Sequence, residues 1–237
     1  MTNASFALMQ SPVAVAPELS QLFARMWGRI AAPGTWWTGP ERVTIANLAR
    51  AERGGNHDRT SSLPAAAHGA VALLAATPSA TTAAWVDTIT ADIGLERYIE
   101  LVGIVSDVVA IDTVTRLLGC ELEPLPAALG GTPSQEPTPP GVKKRSAWVA
   151  MASPPIPPNV LAAVPAAQDT LIELTEALYL TGAEMANPDI SKEGLHRTQI
   201  ELVATTTAYA NECFYRTLSH ARMLSWSATA THQDLDL

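Results

Sequence analysis

Residues 199–223 read QIELVATTTAYANECFYRTLSHARM. Two apolar-periodic runs flank Asn211-Glu212. The spacing predicts one helix from about Arg197 to Tyr209, a break or cap at Asn211-Glu212, and a second helix from about Cys213 to Ser225. The first run carries a single carboxylate, Glu201, and the second opens with Cys213, Tyr215, Arg216 and His220. A cysteine at a helix N-terminus sees the positive end of the peptide dipoles, which favours the thiolate. Arg216, one turn on, acts in the same direction. His220 lies two turns beyond Cys213, on the same face. With Glu201 folded back from the preceding helix, a thiol, an imidazole and a carboxylate share one pocket. Those groups suffice for nucleophilic or acid–base chemistry without a cofactor.

Each residue also has a plainer reading. A lone Cys among apolar residues is a small core residue. A lone His in a helix is satisfied or on the surface, Glu201 pairs with an arginine, and Tyr215 is packing. Only their conjunction points to chemistry. A metal is not expected, because Cys213, His220 and Glu201 include no close-spaced ligand pair.

Upstream, residues 166–186 read as one helix with Leu171, Leu174, Leu178 and Tyr179 on one side, ended by Asn187-Pro188-Asp189. Before it, residues 121–165 are rich in proline and read as a semi-rigid, extended linker. Lys143-Lys144-Arg145 is solvated there, and SAWVAM packs down through Trp148. Residues 95–119 are too apolar all round for a surface helix and are placed centrally. The two aspartates on that run, Asp107 and Asp112, are expected at its rim. Further helices are expected at 17–30, from an N-cap at Thr38 to Gly54-Gly55, and at 68–76 and 81–93. Residues 1–16 form a loose lead-in, and the polar tail after Trp226 frays.

The chain thus divides into an N-terminal half (17–120), a linker (121–165) and a C-terminal half (166–237). The halves echo each other weakly. The run from Glu41 can be laid over the run from Gln199, so that Ala46 falls on Ala204, Gly55 on Cys213, Asp58 on Arg216 and Ser62 on His220. A rival alignment superposes IELV at 99–102 on IELV at 200–203. The first is preferred, because it also matches the preceding break and the helix start. On either, the first half holds no Cys/His constellation, and a duplicated N-terminal copy has become structural.

Composition narrows the classes. The chain has 237 residues, 47% of them hydrophobic and 16% charged, with net charge −8, so it can bury a sizeable core and presents no basic stripe for nucleic acid. Its two cysteines, Cys120 and Cys213, make no disulfide framework. No signal segment opens the chain, and no apolar run reaches membrane-spanning length. A helical, cytoplasmic protein is expected.

The pattern E-x11-C-x-x-[C]-x3-H resembles the alkylhydroperoxidase-like/carboxymuconolactone decarboxylase family, in its two-halved peroxidase-related branch. GTWWTGPERVTIA at 34–46, RYIELVGIV at 97–105, and QIELVA with ANECFYRTLSHA within 199–221 carry the likeness. The resemblance implies an all-α helical bundle, pseudo-duplicated here around the Pro-rich linker, and homo-oligomers. In peroxidase members a C-x-x-C pair forms a redox disulfide, and a glutamate and a histidine relay protons. By position Glu201 is the family glutamate, Cys213 the first cysteine and His220 the histidine. Tyr215 stands where a relay residue lies. Arg216 replaces the second cysteine, so two-cysteine turnover is lost.

Three functions compete. The first is an enzyme doing cofactor-free acid–base or single-thiol chemistry on a small organic substrate. Arg216 then holds a substrate carboxylate or developing negative charge, and Glu201 and His220 act as base and acid. The second is a single-cysteine hydroperoxide-reducing antioxidant. The third is a non-catalytic, oligomeric binding protein.

Overall fold

The computed structural model describes Leu8, residues 11–56 and residues 61–231. The fold is all-α, and the described residues add two small two-stranded sheets. It divides into two compact units, Met1–Leu174 and Thr175–Leu237. No helix among the described residues is long and apolar enough to cross a membrane.

Unit 1 is built on five helices, α1 (Pro17–Ala31), α2 (Gly39–Arg53), α3 (Ala65–Ala76), α4 (Ala83–Ile93) and α5 (Leu95–Leu117). The N-terminus of α2 follows its sequence signal. Thr38 caps the Glu41 N–H, the Glu41 carboxylate accepts from Thr38 N–H, and a proline fills the first turn. The apolar run of α5 makes it the central helix, packed against α1, α2, α3 and α4, with Ile99, Leu101, Ile104, Val108 and Ile111 buried.

Neither aspartate of α5 behaves as a rim residue. Asp112 is only 4% exposed and is gripped by both ends of the Arg50 fork, at 2.8 and 2.7 Å. Asp107 lines a cavity. The partner of Asp112 lies on α2, so helical spacing gave no sign of it.

Residues 121–149 are largely extended and exposed or half-buried, as expected, but the whole segment 121–165 belongs to unit 1 and is tied to it at several points, and the division falls at Leu174/Thr175. Leu129, Ser134 and Gln135 donate backbone hydrogen bonds to the carbonyls of Ala31, Gly34 and Thr35. Pro124 accepts from the Trp27 indole at 2.8 Å, and Leu161, Ala163 and Val164 join the core. Proline removes donors but not acceptors or apolar surface, so an extended, Pro-rich segment can still be pinned. Within it, β1 (Lys143–Lys144) pairs with β2 (Ala150–Met151). Trp148 is 49% exposed, and Ala150 and Met151 pack down instead.

The helix expected over 166–186 is two. α6 (Pro165–Leu178) stops, and α7 (Gly182–Met185) starts afresh under a second capping box, Thr181 with Glu184. The Thr-x-x-Glu start was hidden inside a periodic, Ala-rich run. In unit 2 a hairpin follows, β3 (Ser191–Lys192) against β4 (Leu195–His196). Its turn residues Glu193 and Gly194 have φ of 50° and 80°, the left-handed pair such a turn requires. α8 (Arg197–Ala210) and α9 (Phe214–Thr231) then form an antiparallel pair. The break between them is where the sequence places it: Asn211 caps α8 and Glu212 turns the chain at φ 54°. α9 continues helical to Thr231, past the expected fray point at Trp226. Most of the lead-in, and the tail from 232, lie outside the described residues, as does Asp58 of the internal echo.

Glu41 and Gln199, superposed by the preferred alignment, occupy the same position, the third residue of the helix, in two capping boxes, Thr38/Glu41 and His196/Gln199. The rival alignment superposes Glu100 on Glu201. Both are buried, and each is paired with an arginine. Ser62 and His220 do not correspond structurally: Ser62 sits in a bend and His220 in a helix.

Candidate functional site

Glu201 is the hub of unit 2. It projects from α8 and is fully buried. Its Oε1 accepts from Arg197 Nε at 2.7 Å and from the Tyr179 hydroxyl, and its Oε2 faces His220 Nδ1 at 2.8 Å. Burial alone pushes the Glu201 carboxyl up. The hydrogen bonds from His220 and Tyr179, with the charge and hydrogen bond of Arg197, outweigh that and hold it below the ordinary glutamate range. An ionised carboxylate only accepts, so His220 Nδ1 carries a proton and donates it to Glu201.

Each partner of Glu201 is itself positioned. Arg197 lies one turn before Glu201 and is fully buried. Its Nη1 donates to the carbonyls of Glu184, Met185 and Asn187 at 3.2–3.3 Å, satisfying the C-terminal end of α7. Trp226 covers the guanidinium, 5.8 Å from ring centroid to Arg197 Cζ. Tyr179 escapes α6 because the helix stops at Leu178. Its ring meets that of His220 edge to face, centroids 5.4 Å apart. Burial, then the hydrogen bond to Glu201, raises its phenol well above the usual range.

Tyr179 and His220 form part of the wall of a pocket of about 600 Å³, with Cys213 and Arg216 beside them. That volume lies within the range of small-molecule sites. Ile200, Val203 and Ala204 from α8 supply an apolar side. The spacing argument for Cys213 and His220 agrees with this, since both line one pocket. Cys213 is half-buried and free, just before α9, where its carbonyl accepts from Thr217 N–H. Arg216 lines the pocket, is exposed, and makes no ion pair with any described residue. Lys192 also lines it but is engaged by the Glu184 carboxylate at 3.2 Å and the Tyr179 carbonyl at 2.9 Å.

Tyr215 is not brought in. It is 55% exposed and does not line the pocket, because one step beyond Phe214 turns it away from the face that carries Cys213, Arg216 and His220. The tyrosine that reaches the hub is Tyr179, which the sequence placed on one side of a helix with Leu171, Leu174 and Leu178. Its signal was the Thr-x-x-Glu start at Thr181, which releases it from α6. Arg197 was missed too, although its one-turn spacing from Glu201 was open to view.

No protein-family model, no curated protein and no solved structure matches the chain.

Proposed function

We propose that the protein is an enzyme of alkylhydroperoxidase/carboxymuconolactone decarboxylase-like descent that performs cofactor-free acid–base chemistry on a small organic acid or lactone. One observation carries this reading. His220 is held through Nδ1 on a buried, ionised carboxylate, and the same ring lines a pocket that Cys213 and the unpaired Arg216 share. A carboxylate that fixes the tautomer and orientation of an imidazole presents the other nitrogen as a general base. Arg216 then binds the carboxylate of the substrate or the negative charge that develops as a proton leaves carbon. His220 takes that proton, and Glu201 stabilises the imidazolium. The Tyr179–Glu201 contact keeps the carboxylate from rotating away. Cys213 forms wall and, where the substrate is electrophilic, a nucleophile.

The test is a turnover screen of small carboxylic acids, lactones and hydroperoxides against wild type, His220→Ala, Arg216→Ala and Cys213→Ala. The reading expects an acid or lactone to be consumed, with a loss of about 10²-fold or more in His220→Ala and of comparable size in Arg216→Ala. Undiminished turnover in either variant overturns the role given to that residue. Hydroperoxide consumption that depends on Cys213 alone favours the single-thiol antioxidant instead. No turnover of any class favours the binding protein.

The homo-oligomer belongs to the same reading. α8 and α9 expose Leu202, Val203, Tyr209, Phe214 and Tyr215, and unit 2 buries few large apolar side chains of its own.

A further inference from the structure

Unit 1 holds a second cavity, of about 330 Å³, that none of this chemistry uses. Its wall comes from the loop after α1 (Pro33, Gly34, Thr35), the start of α2 (Arg42), the middle of α5 (Glu100, Asp107) and the start of α6. The loop approaches so closely that a Cβ on Gly34 would lie 1.8 Å from Glu100 Oε1 and 2.1 Å from Arg42 Nη1. Two ion pairs are already made there. Arg42 is paired with Glu100, which also accepts from Trp36 N–H at 2.6 Å, and Arg29 meets Glu173 at 2.7 Å. These neutralise one another. Asp107, on α5, and Asp169, on α6, are left over: no hydrogen bond or ion pair joins either to another described residue. Asp169 is at the exposed mouth, whereas Asp107 is half-buried in the cavity wall. The rest of the lining is small or aliphatic, including Ile104, Val164 and Ala167, apart from Thr170, which accepts from Arg29 at 3.1 Å.

We infer that this cavity is a binding site for a small aliphatic amine or guanidine, its cationic head on Asp107 and its carbon chain against the α5–α6 wall. A carboxylate drawn partly out of water into a cavity without a partner is costly unless a counter-charge or a proton reaches it. The nearest fixed cations, Arg42 on α2 and Arg29 on α1, each have a carboxylate of their own. Among the described residues no three His, Cys, Asp or Glu groups are placed to hold a metal, so an organic cation fits better than a metal ion. The volume suits a chain of a few carbons.

The site carries its own pH signature. Burial pushes the Asp107 carboxyl up to about 7, against the opposing fields of Arg42 and Arg29, with Glu173 adding to the rise. Glu100 on the same helix and Asp169 on α6 complete the charged groups that face it. A protonated amine prefers the ionised carboxylate, so binding strengthens as pH rises through 7 and releases the Asp107 proton.

The experiment is calorimetric titration of the full chain with butylamine, 1,4-diaminobutane and butylguanidine, with butan-1-ol as the neutral control, at pH 5.5 and 8. The cations are expected to bind, at least about tenfold more tightly at pH 8, and butan-1-ol is not. Asp107→Asn is expected to weaken binding about tenfold or more and to remove the pH dependence. No binding by any of the three cations at pH 8, equal binding by the alcohol, or unchanged binding in Asp107→Asn overturns the inference. If Asp107→Asn does not fold, the wild-type pH dependence decides: affinity that is flat between pH 5.5 and 8 overturns it. Nothing here depends on unit 2, so the outcome is separate from that of the turnover screen.

Discussion

Arg197 and Glu201 stand one turn apart on α8 as an ion pair with neither side chain open to solvent. Such a pair is expensive to break from one side, because the survivor stays buried and charged. Glu201→Leu is therefore expected to cost about 3–5 kcal/mol, and Arg197→Met a similar amount. The double variant should lose less than the sum, since both charges leave together. Urea denaturation of the four proteins measures the coupling, and full additivity would mean that the pair does not act as one.

The depressed carboxyl of Glu201 gives unit 2 an acid limit. A group whose folded value lies below its unfolded one stabilises above the unfolded value and loses that contribution as pH falls through the folded one. Wild-type stability is thus expected to drop on acidification below about pH 4. Tyr179→Phe removes one of the hydrogen bonds that depress the value, so its decline should begin at higher pH. Stability measured from pH 2 to 6 checks the shift.

Asp107 runs the other way. Its folded value is raised to about 7, so the native state holds a proton that the unfolded state has released. Stability is expected to fall between about pH 4 and 7 for this reason, and buried Glu100, also raised chiefly by burial, shares the direction. Asp107→Asn should flatten that limb and gain on the wild type as pH rises. Thermal melts of both proteins at pH 5 and 8 show whether it does.

Two glycines of unit 1 make a paired test. A Cβ on Gly39 would lie 2.3 Å from the Leu129 carbonyl oxygen and 2.5 Å from that of Ala31, both backbone atoms that cannot swing aside. Gly39→Ala is expected to cost about 1–3 kcal/mol. Gly28, exposed on α1, has open space where its Cβ would be, so Gly28→Ala should gain about 0.5–1 kcal/mol. Equal effects in denaturant would mean that residues 129–135 do not press on the start of α2.

If α8 and α9 are covered by a second copy, Phe214, 81% exposed, and Tyr209, 76% exposed, belong to the covered face. Phe214→Ser with Tyr209→Ser is then expected to lower the sedimentation coefficient toward that of a monomer. A wild type that already sediments as a monomer would sink the idea.

Local signals were legible in the sequence, and long-range ones were not. Thr38 with Glu41 announced α2, and Asn211-Glu212 announced the turn before α9, because caps and turns are written within four residues. Cys213 and His220 were placed on one face by helical spacing alone. Tyr179 was lost because its helix reads on smoothly past Leu178, and only the weak Thr181 start interrupts it. The pairing of Asp112 with Arg50 joins positions far apart in the chain, which no periodicity encodes. Residues 121–165 misled by composition. Proline density describes the stiffness of a segment and not whether Leu161, Ala163 and Val164 find a core.

That same segment is expected to dock late during synthesis. The helices α1 to α5 are consecutive in the chain and can pack as they emerge. The loop Ala31–Thr35, however, is fixed by hydrogen bonds from Leu129, Ser134 and Gln135. Closing so long a loop is slow compared with forming local helices, and on the ribosome it must wait until those residues have left the exit tunnel. The wall formed by Pro33, Gly34 and Thr35 is therefore expected to be complete only once residues 129–135 have joined it.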